Sequence, residues 1–254
     1  FLFMKKSLGQ NFLRNKDITK KIVQLADFCK SIDILEIGPG DGALTDELLN
    51  FSGKITLLEY DKDLIKPLNN KYSGSNVKII QGDARNFIID VDNKINIIGN
   101  LPYYASNIII RNFMFQNKVN SMVFTVQKEV GEMIVANDGK KSFLSVLMQT
   151  YCDVKELMII KNVEFYPIPK VDSMTIKLIP KSINKDDDYI NFIRGSFSNP
   201  RKKISNSISM GLNISNDQTN LILDSNKIDQ NLRPQHLSLN QWENLYKSYK
   251  KLNV

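Results

Sequence analysis

A single histidine, His236, and two cysteines, Cys29 and Cys152, are all that this 254-residue chain holds of the softest metal-binding and nucleophilic side chains. One histidine excludes a multi-histidine metal centre. The cysteines are far apart in sequence and in no metal-ligand spacing, so no metal is expected and a reducing compartment, the cytoplasm, is the expected setting. No apolar run reaches the length that spans a bilayer. Phe1-Leu2-Phe3 is too short for a signal-peptide core, and Met4-Lys5-Lys6 reads as the natural start with three residues in front of it. Internal repeats and low-complexity tracts are absent. Acidic residues are the minority: 27 against 34 Lys and Arg give a net charge of +7, a balance that favours a polyanionic partner. A hydrophobic content of 42% and a charged content of 24% are those of a soluble globular enzyme. The length suits one large α/β domain with a small appendage.

Residues 17–31 repeat apolar positions at helical spacing, with Asp17 as the expected N-cap. Four short apolar runs follow, over 33–38, 54–59, 77–80 and 95–99, each closed by Gly, Asp, Glu or Asn. Helical patterns separate the first of them, over 43–51 and 63–71. Such alternation predicts a doubly wound, mostly parallel sheet. Residues 121–126 read as a fifth strand, followed by helical stretches over 129–137 and 143–151. Residues 154–161 and 173–179 alternate like an antiparallel pair at the sheet edge, making seven strands. The polar run 181–188 reads as a linker. Beyond it the pattern is helical, clearest over 201–212, 216–225 and 238–251. The expected division is therefore a catalytic α/β domain over 1–180 and a small all-helical domain over 181–254. His236 and Trp242 read as packing residues of the terminal helices.

The first strand runs into Glu36-Ile37-Gly38-Pro39-Gly40-Asp41-Gly42. Glycines at 38, 40 and 42 let backbone approach a ligand where a Cβ would clash, and with Ala43 they satisfy the loose dinucleotide fingerprint G-x-G-x-x-G/A. Glu59 ends the second strand, about 20 residues on, where a carboxylate holds ribose hydroxyls. To this point a nicotinamide cofactor and S-adenosylmethionine fit equally. Three details favour S-adenosylmethionine. Glu36, Pro39 and Asp41 crowd the turn with acid, which suits a cationic cofactor without a pyrophosphate. Gly82-Asp83 follows the third strand and offers a carboxylate to an adenine N–H. The fourth strand then ends in Asn100-Leu101-Pro102-Tyr103.

That last tetrapeptide sits at the carboxyl end of a buried strand, where open α/β sheets bind ligands. The Asn100 side-chain carbonyl and the Leu101 main-chain carbonyl can each accept one N–H of an adenine amino group. Pro102 fixes the turn and donates no N–H. Tyr103 can stack on the ring, a contact of roughly 1–3 kcal/mol. Accepting both N–H bonds aims the nitrogen lone pair at a methyl donor, and the same carbonyls stabilise the positive charge that develops on it.

These motifs and their order resemble the bacterial small-subunit ribosomal RNA adenine N6,N6-dimethyltransferases, from about Lys6 to Tyr246. The resemblance is carried by Leu8–Leu13, Glu36–Gly42, Glu59-Tyr60-Asp61, Gly82-Asp83-Ala84 and Asn100–Tyr103, and continues through Gln127–Val130, Phe165–Ser173, Asn199–Lys202 and Arg233-Pro234. It implies a Rossmann-like methyltransferase that dimethylates two adjacent adenosines near the 3′ end of small-subunit ribosomal RNA, within a 30S-like particle; a monomer is the simplest assumption for the oligomeric state. It also implies that Asn11 and Leu13 touch the methionine end of the cofactor, Gly38 lies beneath it, Glu59 holds the ribose and Asp83 the adenine. Asn100 faces the transfer site, and Phe165 sandwiches the target base with Tyr103. The chain departs from the family pattern at Tyr104-Ala105, at Met133, at Gln235 and in a shortened segment over 137–145, positions that bear on RNA contact. Three basic groups could neutralise phosphates: Lys5-Lys6 with Arg14, Lys140-Lys141, and Arg201-Lys202-Lys203. The last is favoured because it opens a helix of the second domain. The macrolide-resistance enzymes acting on large-subunit RNA share the cofactor motifs, but Val171-Asp172-Ser173, Asn199–Lys202 and Arg233-Pro234 resemble the small-subunit branch. DNA adenine methyltransferases typically carry Asp where Asn100 stands. Intact Glu59, Asp83 and Asn100–Tyr103 argue against a non-catalytic assembly factor, and the amino-group clamp against a nicotinamide dehydrogenase.

Overall fold

The computed structural model describes residues 11–51 and 53–252. Lys5, Lys6 and the start of the Leu8–Leu13 motif lie outside them. In chain order the elements are β1 (Phe12–Leu13), α1 (Lys16–Ala26), β2 (Asp33–Ile37), α2 (Thr45–Leu48), β3 (Ile55–Glu59), α3 (Lys62–Lys71), β4 (Val77–Gln81), β5 (Ile95–Asn100), α4 (Ser106–Met114) and β6 (Val119–Gln127). They continue with α5 (Lys128–Ile134), α6 (Phe143–Tyr151), β7 (Cys152–Ile160), β8 (Phe165–Tyr166), β9 (Ser173–Pro180), α7 (Asp187–Ser196), α8 (Ile204–Leu212), α9 (Asn216–Ser225) and α10 (Leu239–Leu252).

Seven strands form one sheet in the order β4-β3-β2-β5-β6-β9-β7. The β2–β3, β3–β4, β2–β5 and β5–β6 pairs are parallel, and β9 runs antiparallel to β6. Strands β2, β5 and β6 are buried over nearly their whole length, as parallel strands covered on both faces must be. Edge strand β4 is not. The strand order reverses between β2 and β5, and the crevice at such a switch point is where an α/β sheet binds ligands. Leu35, Leu57, Ile97, Val123 and their neighbours fill the interior.

A second, two-stranded sheet was not legible in the sequence: β1 pairs antiparallel with β8, Phe12 opposite Tyr166 and Leu13 opposite Phe165. Two residues are too few for a period-2 signal, so the pairing is set by tertiary placement. Helix α4 also lacked a sequence signal. Its Ile108-Ile109-Ile110 run is β-branched and favours strand, and burial of Ile109, Ile110 and Phe113 settles it as helix. The N-cap of α1 is Asn15, not Asp17: the Asn15 side chain accepts from the amides of Asp17 and Ile18, which leaves Asp17 in the first turn.

The chain forms two compact units, one running to Gly131 and resuming over Val154–Lys181, the other comprising Glu132–Asp153 and Ser182–Val254. The single cut expected near residue 180 therefore differs from the structure, in which residues 132–153, with α6, belong to the helical unit. Capping boxes open α6 (Ser142 and Ser145) and α9 (Ser215 and Gln218), which is why those helices begin where they do. The expected linker ends early, because Asp186 caps α7 and accepts from the Tyr246 hydroxyl at 3.0 Å. Trp242 is fully buried against Phe192 and Phe197, at ring centroid distances of 6.3 and 5.2 Å. His236 is not a packing residue: it is exposed, and its Nδ1 accepts from the Arg233 amide at 3.0 Å.

Candidate active site

The carboxyl ends of β2, β3, β4 and β5 border one cleft of about 1050 Å³, counted to its open mouth. The turn after β2 forms its floor. Gly38 and Gly40 have φ of +63° and +61°, values that disfavour any residue with a Cβ. At Gly40 the need is also steric, since a Cβ would lie 2.6 Å from the Phe12 ring. At Gly38 the nearest protein atom to such a Cβ is the Asn100 carbonyl oxygen, 3.9 Å away. Arg14 reaches across this turn to Asp41 at 2.6 Å and lies 5.5 Å from the centroid of the Phe12 ring.

Two carboxyl groups lie beneath the turn. Glu36 is 1% exposed and accepts from the Thr45 hydroxyl at 2.6 Å. Burial pushes its pKa up to about 8, the neighbouring Glu59 adds to the rise, and Thr45 opposes it. Glu59 accepts from the Asp61 amide at 2.8 Å and the Gly40 amide at 3.3 Å. Burial raises it as well, and those amides moderate the effect. Burial thus favours the neutral form of both carboxyl groups, and a cationic ligand beside them would shift them back toward the ionised form.

Asp83 lies beyond the end of β4. Its carboxylate accepts from the Arg85 guanidinium at 2.6 and 2.9 Å and from the Arg85 amide at 2.9 Å. The guanidinium hydrogen bonds hold it below the usual carboxylate range. Arg85 in turn lies 5.8 Å from the centroid of the Tyr60 ring.

At the end of β5 the Asn100 Nδ2 donates to the Asn11 carbonyl at 2.8 Å. That bond orients the amide and leaves Oδ1 as its acceptor atom. The Leu101 amide donates to the Thr125 carbonyl at 3.0 Å, which anchors this residue at the end of the sheet; the Leu101 carbonyl, in the following peptide to Pro102, accepts no hydrogen bond from the described residues. The Tyr103 hydroxyl hydrogen-bonds Ser173 Oγ at 2.9 Å. This tethers the ring edge, and burial raises its phenol.

Asn11, Leu13, Gly38, Glu59, Asp83, Asn100, Leu101, Pro102 and Tyr103 all line the cleft. Phe165 does not. It is 2% exposed and belongs to the core cluster that also holds Leu13, Val123 and Ile160, which departs from the open stacking position expected of it. Phe12, Tyr60, Tyr104 and Arg85 also line the cleft and were given no site role by sequence reasoning, although Phe12 and Tyr60 lie inside recognised motifs and Tyr104 and Arg85 directly follow them. Arg201, Lys202 and Lys203 belong to the helical unit. They precede α8 instead of lying in its first turn, and all three are exposed. Of the other basic groups, Arg14 is paired with Asp41, and Lys141 is buried against Asp138. Among the described residues no three His, Cys, Asp or Glu side chains gather as a metal site. No helix among them is long and apolar enough to cross a membrane.

A seven-stranded sheet with a glycine turn after β2, an acid ending β3 and an Asn-Leu-Pro-Tyr turn closing β5 defines a Rossmann-like methyltransferase. The family model described as ribosomal RNA adenine dimethylase matches residues 2–251, and the chain belongs to that family of enzymes. It is 36% identical over 256 residues to the ribosomal RNA small subunit methyltransferase A of Mycoplasma capricolum, covering 95% of this chain and 96% of that one. It is 37% identical over 251 residues to the protein of the same name from Wolbachia pipientis, covering 94% and 86%. A dimethyladenosine transferase structure from Plasmodium falciparum superposes with a TM-score of 0.80 at 26% identity, over 96% of this chain and 98% of that one. The 23S rRNA methyltransferase ErmE shares the fold, with a TM-score of 0.76 at 22% identity over 94% and 100%.

Proposed function

We propose that this protein transfers methyl groups from S-adenosylmethionine to the N6 amino groups of two adjacent adenosines near the 3′ end of small-subunit ribosomal RNA. The product is N6,N6-dimethyladenosine, and the substrate is a partly assembled small subunit met by the monomeric enzyme in the cytoplasm. The observation that carries the reading is the Asn100 amide. With Nδ2 held by the Asn11 carbonyl, Oδ1 is left to accept, and Asn100 and Leu101, neighbours in the chain, both line the cleft; their two carbonyl oxygens match in number the two N–H bonds of an adenine amino group. The related enzymes of Mycoplasma and Wolbachia carry the small subunit in their names, which supports that substrate over large-subunit RNA.

The residues present fit the cofactor. A cationic ligand would favour ionisation of Glu36 and Glu59, Glu59 would offer a carboxylate to ribose hydroxyls, and Asp83, kept charged by Arg85, would offer one to the adenine amino group. Asn11 and Leu13, which line the cleft, would border the methionine end, and Gly38, with no protein atom nearer than 3.9 Å to where a Cβ would lie, would leave room beneath it. When bound, S-adenosylmethionine supplies a methyl group already activated on a sulfonium. The chain's part is therefore positioning and charge stabilisation. Asn100 Oδ1 and the Leu101 carbonyl hold the amino protons and orient the nitrogen lone pair. The same oxygens stabilise the positive charge on that nitrogen as its new bond forms. Tyr103, tethered through Ser173, offers a ring face to the extruded base, and Pro102 keeps the turn rigid. Arg201, Lys202 and Lys203 bind phosphate, supported by their exposure and by the start of α8, whose amides no cap side chain covers, the Lys203 ammonium donating to Asn231 Oδ1 instead.

The test is methyl transfer from labelled S-adenosylmethionine to unmethylated small subunits, large-subunit RNA and duplex DNA, followed by nucleoside analysis. Dimethyladenosine in the small subunit alone is the expected result. Label in large-subunit RNA would move the enzyme to the other branch, and no label anywhere would end the catalytic reading.

A further inference from the structure

Glu36, Asp41, Glu59 and Asp83 line the cleft, and Arg85 is the one cation that lines it among the described residues. Its donors all go to Asp83. Oδ1 accepts from the Arg85 amide and from Nε, each at 2.9 Å, and Oδ2 accepts from Nε at 2.9 Å and from Nη2 at 2.6 Å. An ionised carboxylate offers about four lone-pair sites. These bonds therefore leave Asp83 no acceptor position for a further N–H.

The backbone on both sides of Asp83 is pinned. The Gly82 amide donates to the Glu59 carbonyl at 2.9 Å, and a Cβ at Gly82 would lie 2.8 Å from Leu58 Cδ1. Beyond Asp83, Asn112 of α4 donates through Nδ2 to the Ala84 carbonyl at 3.0 Å and to the Phe87 carbonyl at 2.8 Å. Gln116, just past the end of α4, accepts from the Ile89 amide at 2.8 Å and donates to the Phe87 carbonyl at 3.0 Å. The Arg85 side chain is held less firmly. It is 42% exposed, and among the described residues it hydrogen-bonds Asp83 alone. Its guanidinium lies 5.8 Å from the centroid of the exposed Tyr60 ring, a face over which a planar cation can shift and keep its contact. Of the two partners, Arg85 is the one that can give way.

Resting on the reading of Asp83 as the acceptor for the cofactor's adenine amino group, we propose that Arg85 is an internal competitor for that carboxylate and so sets how tightly the adenine end is held. The adenine N–H gains Asp83 as Arg85 releases one of its bonds, and Arg85 takes the carboxylate back as the cofactor leaves. Each target adenosine receives two methyl groups, so the spent cofactor must be exchanged repeatedly. A competitor at the adenine end speeds its departure.

The experiment uses the full chain and S-adenosylhomocysteine, the spent cofactor, which has no net charge at neutral pH. Affinity is read by calorimetry and dissociation by stopped-flow. Arg85→Ala is expected to tighten binding about fivefold, the upper range for an exposed ion pair, chiefly through slower dissociation. Salt screens the Arg85–Asp83 pair, so wild-type affinity should rise as salt is added, whereas that of Arg85→Ala should stay level. A merely structural role for Arg85 would not produce that difference in salt response. Asp83→Ala should weaken binding, and adding Arg85→Ala to it should change nothing further. Unchanged or weaker binding in Arg85→Ala, while Asp83→Ala still loses affinity, would overturn the proposal. Wild-type affinity in Asp83→Ala would instead sink the adenine reading beneath it.

Discussion

At the scale of single residues, the proposed transfer site rests on two carbonyl acceptors, those of the Asn100 side chain and the Leu101 main chain, and the Asn100 amide is held by the Asn11 carbonyl. Replacing Asn100 with Ala removes one of the two acceptors and is expected to lower turnover by more than tenfold, the range seen when one preorganised partner of a transition-state charge is removed. Cofactor affinity should survive, so single-turnover rates and calorimetry on the same variant separate the two effects; an unchanged rate would rule out the clamp. Glu59→Ala should weaken cofactor affinity, and unaltered binding enthalpy and affinity would contradict its ribose role. Glu36 gives a pH signature. Its pKa is about 8 in the fold against an ordinary value of 4.5, so the folded state binds the extra proton. The resulting stability is fully present below pH 4.5 and is lost as pH rises through 8, a change on the order of 5 kcal/mol. Glu36→Gln has no charge to gain. Urea denaturation at about pH 5 and about pH 8.5, on either side of most of that window, should therefore show a much smaller loss for the variant. Parallel curves would show that Glu36 is already ionised in the fold.

Among the elements, the turn between β2 and α2 was readable because its glycines are demanded locally, by positive φ and by the approach of Phe12. The parallel strands were readable because burial on both faces writes them as unbroken apolar runs. Strands β1 and β8 wrote nothing comparable. A run of Phe-Leu or Phe-Tyr carries no period, and only the pairing of Phe12 with Tyr166 decides which aromatic ring is open and which is core. In the helical unit, Trp242 of α10 is surrounded by Phe192 and Phe197. Trp242→Ala leaves a cavity there and is expected to cost about 3–5 kcal/mol in chemical denaturation, whereas a cost below about 1 kcal/mol would mean that the surrounding helices collapse to fill the space.

For the whole molecule, the net charge of +7 is consistent with a phosphate-rich partner, and the exposed Arg201 and Lys202 give that charge a testable location. The double variant Arg201→Ala/Lys202→Ala should weaken RNA binding evenly across sequences. It should also flatten the slope of log K against log salt by roughly 0.9 for each phosphate no longer neutralised, with cofactor affinity unchanged; an unaltered slope would place the phosphate-binding cations elsewhere. The sequence by itself determined the seven-stranded α/β class, the glycine turn, the acids that end β3 and follow β4 and the Asn-Leu-Pro-Tyr turn at the end of β5. Each of these rests on periodicity or on a short-range backbone requirement that neighbouring residues express directly. Tertiary structure alone decided that Phe165 is buried while Tyr166 is open, that Asp83 is engaged by Arg85, that the Asn100 amide is turned by the Asn11 carbonyl, and that residues 132–153 belong with the helical unit. Those outcomes depend on the meeting of segments distant in the chain, or on which rotamer a packed neighbour leaves free, and neither leaves a periodic mark in a single sequence.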